Sequence, residues 1–143
     1  MNILFLNTSD QLGGAAIAAK RLTDALNKEQ LKVTMLVRDK SSNDFDVIAV
    51  HQSPKLAYNF LAERIKIWMN NLFSKKNLFA VSIANAGSSI TNLPEFKNAD
   101  IIHLHGINQG FISLSELKKI IKSGKPIVWT MDDMWPITGI CHH

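Results

Sequence analysis

Short apolar runs alternate along the chain with longer segments in which apolar residues recur at helical spacing. The runs that are typical of buried strands are NILFLN (2–7), KVTMLVR (32–38), DVIAV (46–50), DIIHLH (100–105) and PIVWT (126–130). Helical spacing occurs within residues 15–28, 54–76 and 113–125. Strands that alternate with helices predict an α/β fold, a Rossmann-like doubly wound parallel sheet flanked by helices.

Local sequence signals mark the two ends of the last predicted helix and the link between two of the strands. Ser113 and Glu116 have the spacing of a capping box at the start of the last helix, and Gly124 is a natural stop at its end. The polar segment 39–44 is predicted to link the second and third strands.

The segment 54–76 has a wider apolar surface than packing on one face of a sheet requires. Its polar residues fall on one helical stripe, which comprises Lys55, Asn59, Glu63, Lys66 and Asn70. We therefore expect part of the apolar surface to be exposed, available to a membrane surface, an acceptor lipid or a second copy of the chain. The alternative is a deeply buried helix covered by residues 77–95.

Composition narrows the class of protein. A chain of 143 residues with 46% hydrophobic content is long enough for one domain, 1–143, and too short for two full ones. The net charge of +4 is spread over scattered lysines, so we expect no nucleic-acid partner. Cys141 is the single cysteine, and no signal sequence opens the chain, which favours a cytoplasmic location. No apolar run approaches the roughly 20 residues that span a bilayer.

Ligands bind to doubly wound sheets at the carboxyl ends of the strands. The glycine pair in LGGAAIAAKRL follows the first strand and opens a helix. Bare N–H groups and the positive end of a helix dipole suit an anion at that place, and the alternative is a tight turn with a left-handed glycine. Other polar groups follow the strands at the same predicted edge, namely Asn7, Thr8, Ser9, Arg38, Asp39, His105, Gly106, Asn108, Asp132 and Asp133.

Three stretches together resemble the amino-terminal half of a group 1 glycosyltransferase, family four, of the retaining GT-B type. They are LNTSDQLGGAAIAAKRL, ADIIHLHGINQGFISLSEL and KPIVWTMDDMWPITGICHH. The resemblance implies two Rossmann-like domains, of which the first mainly holds the acceptor and the second the sugar nucleotide. It also implies that the donor-binding carboxy-terminal domain is absent from these 143 residues, so that the isolated chain is inactive.

The resemblance assigns roles to single residues. Gly13 and Gly14 match the family's glycine loop, which lies against the donor diphosphate and the acceptor. His105 stands where the family has a polar residue near the acceptor cleft, and a structural role is the alternative. The period of a strand is expected to turn His103 to the other side, as a structural histidine. We assign substrate binding to Ser9, Gly13, Gly14, Asn108, Asp133 and Trp135, and catalysis to His105 and Asp132.

Asp132 departs from the family pattern, which has a histidine there followed by the aspartate that Asp133 matches. An ionised carboxylate only accepts hydrogen bonds and puts negative charge near a leaving diphosphate. An altered donor, a lost activity or a sequence error each explain the change, and so does a loop-capping role for Asp132.

The expected reaction transfers a sugar from a nucleotide sugar to a saccharide or lipid-linked acceptor, in the synthesis of cell-surface polysaccharide or glycan, with no cofactor and no metal. Two further interactions are expected, namely peripheral contact of residues 54–76 with a membrane and association of two copies of the chain into a homodimer. A non-catalytic nucleotide-binding or interaction domain, a remnant or a split half, is the alternative.

Other classes are less favoured. The glycine loop lacks the G-x-G-x-x-G of a dinucleotide-binding dehydrogenase. A zinc site at Cys141, His142 and His143 lacks a fourth ligand. A receiver-like domain would need Asp132 and Asp133 at an unusual strand.

Overall fold

The computed structural model describes residues 1–51, 53–75, 78–139 and 141. Among them, five parallel strands form one sheet in the order β3-β2-β1-β4-β5. The strands are β1 (Asn2–Ser9), β2 (Lys32–Asp39), β3 (Val47–Ala49), β4 (Ile101–Leu104) and β5 (Ile127–Trp129). The helices are α1 (Gly14–Lys28), α2 (Pro54–Asn70), α3 (Pro94–Asn98), α4 (Leu114–Lys122) and α5 (Trp135–Thr138). The α/β, Rossmann-like fold class is confirmed.

The core lies on both faces of the central strand. Leu4 and Leu6 of β1 pack on one face with residues of β4 and α4, while Phe5 packs on the other face, the side of α1. Successive side chains of a strand point to opposite faces, so a strand that is buried on both faces reads as a continuous apolar run. This burial explains why NILFLN was recognisable as a strand.

The fully buried side chains of helix α1 are small, and Leu22 and Leu26 pack partly buried beside them. Ala16, Ala19 and Thr23 are its buried residues, and Ala19 belongs to the cluster that contains Phe5 and Met35. Side chains of this size let the helix approach the strands closely. The start of α1 is consequently held tightly at the carboxyl edge of β1.

The β2–β3 connection contains no helix. Asp10, which is almost completely buried, accepts hydrogen bonds from the backbone N–H groups of Ser41 and Ser42, both at 2.8 Å. Burial raises the pKa of Asp10, but the bonds from Ser42 and Ser41 outweigh it and leave the pKa below its usual value. One carboxylate therefore holds the return of the chain from β2 to β3, where the polar link was predicted.

Helix α2 ends at Asn70 rather than continuing to residue 76. Its start is defined by Ser53, whose side chain accepts from the N–H of Leu56, and by Pro54 in the first turn. Leu72 and Phe73 take positive φ angles of 50° and 62°, which end the helix. Tyr58, Leu61, Ile65 and Met69 are exposed, so the expected partial exposure of this apolar helix is confirmed.

The buried contact of α2 is polar, formed by a neighbouring ion pair that we call the α2 clamp, Glu63 and Arg64. Arg64 Nη2 donates to Glu63 Oε1 at 2.5 Å, and both side chains are almost fully buried. Glu63 accepts from the N–H groups of Ile83 and Asn85, at 3.2 and 3.0 Å. Arg64 Nη1 donates to the carbonyl oxygens at residues 78 and 81, at 2.8 and 2.9 Å. The described part of 77–95 therefore contacts the polar side of α2 and does not cover its exposed apolar side.

The predicted capping box of α4 is half formed. Ser113 Oγ accepts from the N–H of Glu116 at 3.2 Å, as a cap should. The Glu116 carboxylate does not return the bond, because it accepts from the N–H groups of Ile90 and Thr91 at 2.8 Å each. Glu116 thus fixes a distant buried segment.

None of the described helices has the length and apolar character needed to cross a membrane.

Candidate functional site

A cavity of about 370 Å³ opens at the carboxyl edge of the sheet, where the ends of β1, β2 and the loop after β4 meet. The chain order reverses between β1 and β4, and such switch points are the usual ligand sites of doubly wound sheets. The polar groups of the lining include Ser9, Arg38, Asp39, Asn108 and Asp133, and the apolar ones include Leu12, Phe60 and Phe79. The structure thus brings three predicted binding residues, Ser9, Asn108 and Asp133, to one cavity.

A second cavity of about 350 Å³ lies near the amino-terminal ends of β1 and β2. Asn2, Lys32 and Phe45 are among its lining residues, and no predicted site residue is. The carboxyl-edge cavity is therefore the candidate site.

The floor of the candidate site is a rigid joint between β1 and the loop after β4. Thr8 donates to the carbonyl oxygen of Gly106 through both its N–H and its hydroxyl, each at 2.7 Å. Gly106 N–H donates in turn to Asn7 Oδ1 at 2.9 Å. A Cβ at position 106 would lie 3.0 Å from that oxygen, so the close approach favours glycine there. The joint holds the two strand ends in a fixed relation.

The start of α1 lies beside the cavity without a side-chain cap. Gly13 has a φ of 89°, which requires glycine, and α1 has no acidic residue in its first turn. A Cβ at Gly14 would meet nothing within 4 Å, so the fold itself does not require glycine at that position. Neither glycine lines the cavity, although Leu12 and Ala15 on either side of the pair do.

Arg38 provides the cavity's cationic side chain among the described lining residues, and the protein already engages it. Its Nε lies 3.0 Å from each carboxylate oxygen of Asp39, and its guanidinium also donates to the carbonyl oxygen of Gln109. The Arg38 Cζ atom lies 5.7 Å from the centre of the Phe60 ring. Phe60 and Gln109 were not among the predicted site residues, because one belongs to a helix far along the chain and the other to a loop.

Asn108 and Asp133 form a hydrogen-bonded pair. Asn108 Nδ2 donates to Asp133 Oδ2 at 2.9 Å, while Asp133 Oδ1 accepts from the backbone N–H of Trp135 at 3.0 Å. Trp135 itself is buried, and its indole N–H donates to the carbonyl oxygen of Ser82 at 2.9 Å. The structure therefore places Trp135 in the core behind the site, outside the cavity lining, and its assignment to substrate binding stays a prediction.

The expectation that His103 and His105 face opposite sides is wrong. Their ring centres lie 4.4 Å apart, and both rings pack against Phe5 on the α1 side of the sheet. Residues two apart along a strand share a face, so the alternation that separates neighbours brings this pair together. His103 Nε2 lies 2.8 Å from Thr130 Oγ1. Burial and the adjacent His105 lower the pKa of His103 to about 4.

His105 and Asp132, the two predicted catalytic residues, are in contact. His105 Nδ1 lies 3.2 Å from Asp132 Oδ2. Burial lowers the pKa of His105, and the Asp132 carboxylate, which raises it, does not fully offset the effect of burial. A neutral ring that donates from Nδ1 leaves Nε2 as an acceptor, and Nε2 is buried with no hydrogen-bond partner in the described part of the chain. Asp132, whose side chain is 16% exposed against 1% for His105, is the accessible member of the pair.

Within the described residues, no group of three His, Cys, Asp or Glu side chains is arranged to hold a metal ion. Of the zinc ligands considered above, Cys141 is partly exposed, whereas His142 and His143 lie outside the described residues.

No protein-family model, curated protein or solved structure matches this chain.

Proposed function

We propose that this chain is the acceptor-side domain of a nucleotide-sugar-dependent, retaining glycosyltransferase. The reaction moves a sugar from a nucleotide-sugar donor to a hydroxyl of a saccharide or lipid-linked acceptor, as in the synthesis of cell-surface polysaccharide or glycan. A second domain, which would bind most of the donor, completes the enzyme. The sugar nucleotide is a substrate, and no cofactor or metal takes part.

The composition of the carboxyl-edge cavity is the observation that carries the proposal. Its polar lining includes the Asp39 and Asp133 carboxylates, the Asn108 amide and the Ser9 hydroxyl, which suit hydroxyl groups as hydrogen-bond partners. Its apolar lining includes Phe60 and Phe79, which suit the faces of a sugar ring. A concave site that combines both kinds of wall fits an acceptor saccharide.

The adjacent start of α1 fits the charged end of the donor. Its N–H groups and its dipole favour an anion, no side chain caps it, and a ligand can approach Gly14 without meeting protein atoms at the Cβ position. In the proposed enzyme, the second domain brings the diphosphate to this end of α1. The two substrates then meet between the cavity and the glycine pair, and catalysis consists mainly of holding them in register.

Asp132 and His105 have separate tasks in this proposal. Asp132 is the accessible group and accepts a hydrogen bond from a sugar hydroxyl. His105 is a positioning residue that holds the carboxylate of Asp132 through Nδ1. With one wall of the crevice in this chain, we expect the isolated protein to bind saccharide weakly and to transfer no sugar.

Saturation-transfer NMR of the purified chain tests the proposal, with a panel of oligosaccharides, a nucleoside diphosphate and nucleotide sugars. We expect saccharide signals that weaken about tenfold in Asn108→Ala, since one polar contact of the cavity is lost. Asn98→Ala is the matched control, because Asn98 lines the cavity at the opposite edge. Binding of nucleotide with no saccharide in the panel would favour the non-catalytic nucleotide-binding domain instead. Enzyme-like transfer by the isolated chain would show that no second domain is needed.

A further inference from the structure

Four large side chains, Tyr58, Leu61, Ile65 and Met69, form one apolar surface along α2, which we call the α2 outer face. Their exposed fractions are 71%, 57%, 47% and 56%. The residues are three or four positions apart, so they lie on one side of the helix. Leu72 and Phe73, 89% and 63% exposed, continue the apolar surface beyond the end of α2. A contiguous exposed surface of this kind marks an interaction site more often than scattered single residues do.

The orientation of α2 is set from its other side by the α2 clamp. Glu63 and Arg64 are buried and are bonded to each other and to the backbone of residues 78–85. A rotation of the helix that buried the outer face would move these two charges away from their partners. Each charge would then be exposed or left buried without a partner. The polar bonds therefore keep the apolar residues turned outward.

The charges beside the outer face are all positive among the described residues 54–75. Lys55, Lys66 and Lys75 are exposed, whereas the acidic residue of this stretch, Glu63, is buried against Arg64. On the helix, Lys55 and Lys66 are eleven positions apart and share one flank of the outer face. A symmetric pair of α2 helices would add these positive charges together, while an anionic surface neutralises them.

We infer that the α2 outer face binds the surface of a bilayer that contains anionic lipids. The apolar side chains enter the boundary between headgroups and acyl chains, and the lysines reach the headgroups from the flank. Tyr58, with its apolar ring and polar tip, suits this boundary. The inference does not depend on the proposed transferase function, because it rests on exposure, orientation and charge of α2.

Vesicle co-sedimentation of the full chain tests it, with phosphatidylcholine vesicles and with vesicles that also contain phosphatidylglycerol. We expect sedimentation with the anionic vesicles at low salt and a clear loss at high salt, as screening predicts. The double variant Leu61→Asp/Ile65→Asp should lower the bound fraction at least about tenfold. Ile121→Asp is the matched control, since Ile121 is an apolar residue of α4 that is 58% exposed and lies away from α2.

Three results would overturn the inference. The chain could fail to sediment with anionic vesicles, or the double variant could sediment as the unmodified chain does while circular dichroism shows an intact fold. Light scattering could instead show a dimer that the double variant abolishes, which would assign the outer face to a second copy. Circular dichroism and thermal unfolding of both variants separate loss of binding from loss of structure.

Discussion

The fully buried residues of helix α1 are alanines and a threonine, whereas those of α2 are the two members of one ion pair that is hydrogen-bonded to a neighbouring segment. The α1 contact is non-directional, since apolar packing depends on shape and area. The α2 contact is directional, because each oxygen and nitrogen of Glu63 and Arg64 needs a partner in one place. Two helices of similar length are therefore oriented by different physical forces.

The difference affects what each helix leaves exposed. A helix that packs by its apolar side turns its polar side to solvent, as most surface helices do. A helix that packs by a buried charge pair turns its apolar residues outward, and α2 does so with four of them. A buried ion pair adds little net stability. Removal of one member is nevertheless strongly destabilising, because the remaining buried charge has no partner.

The largest expected effect therefore comes from breaking the α2 clamp. Glu63→Ala leaves the guanidinium of Arg64 buried without its carboxylate and removes the acceptor for two backbone N–H groups. We expect the free energy of unfolding to fall by about 3–5 kcal/mol, measured by urea denaturation. Lys66→Ala, on the same helix but exposed, is the control and should change it by no more than about 0.5 kcal/mol.

A second substitution distinguishes the ion pair from simple packing. In Glu63→Met/Arg64→Met both charges are absent, so we expect a smaller loss than for Glu63→Ala alone. If Glu63→Ala is as stable as the unmodified chain, the clamp does not orient α2, and the comparison with α1 fails.

Acid should destabilise the α1 side of the sheet through His103. Its pKa is near 4 in the fold and near the ordinary 6.5 in the unfolded chain, so the unfolded state binds more protons between these values. The free energy of unfolding should therefore fall as the pH drops from 6.5 to 4, by on the order of 3 kcal/mol. His103→Gln should remove most of that dependence in denaturant titrations at several pH values, and a remainder of the same sign should come from His105. Exposed His51 supplies the control variant His51→Gln, which should keep the full dependence; a flat profile for the unmodified chain would contradict the prediction.

The packing of α1 should respond to size rather than to charge. Ala19→Leu places extra volume between the helix and Phe5, at a position where the alanine is already fully buried. We expect a loss of about 1–3 kcal/mol in the free energy of unfolding. Ala18→Leu, one residue earlier and exposed, should be close to neutral. Equal effects of the two substitutions would argue against tight packing of α1 on the sheet.

The smallest effect is expected at the start of α1. Gly14→Ala should raise the free energy of unfolding by about 0.5 kcal/mol, because the added methyl group meets no atom and the helix gains a residue of better propensity. Gly13→Ala should lower it, since its φ of 89° is strained for alanine. Under the proposed function, Gly14→Ala also weakens binding of a nucleoside diphosphate although the protein is more stable. Unchanged binding would remove the functional reason for that glycine.

The strands and α1 could be predicted from the sequence because a strand buried on both faces, such as β1, is a continuous apolar run, and α1 shows its small residues at helical spacing. The gathering of Ser9, Asn108 and Asp133 at one edge followed from the same topology, since parallel strands end together. The α2 clamp could not be predicted, because its partners are backbone groups about twenty residues further along the chain. Phe60 lies on the same helix as the clamp, so its place in the cavity lining could not be predicted either. The contact of His103 with His105 follows from the period of a strand, which places residues two apart on one face.

The place of β1 in the sheet has a consequence for how the protein emerges from the ribosome. β1 lies between β2 and β4, and Asn2 N–H donates to Asp100, 98 residues further along the chain. At about 5–20 residues per second, β4 is synthesised roughly 5–20 s after β1. During that interval the edge of β1 that later pairs with β4 has no partner, and an unpaired strand edge can pair with another chain.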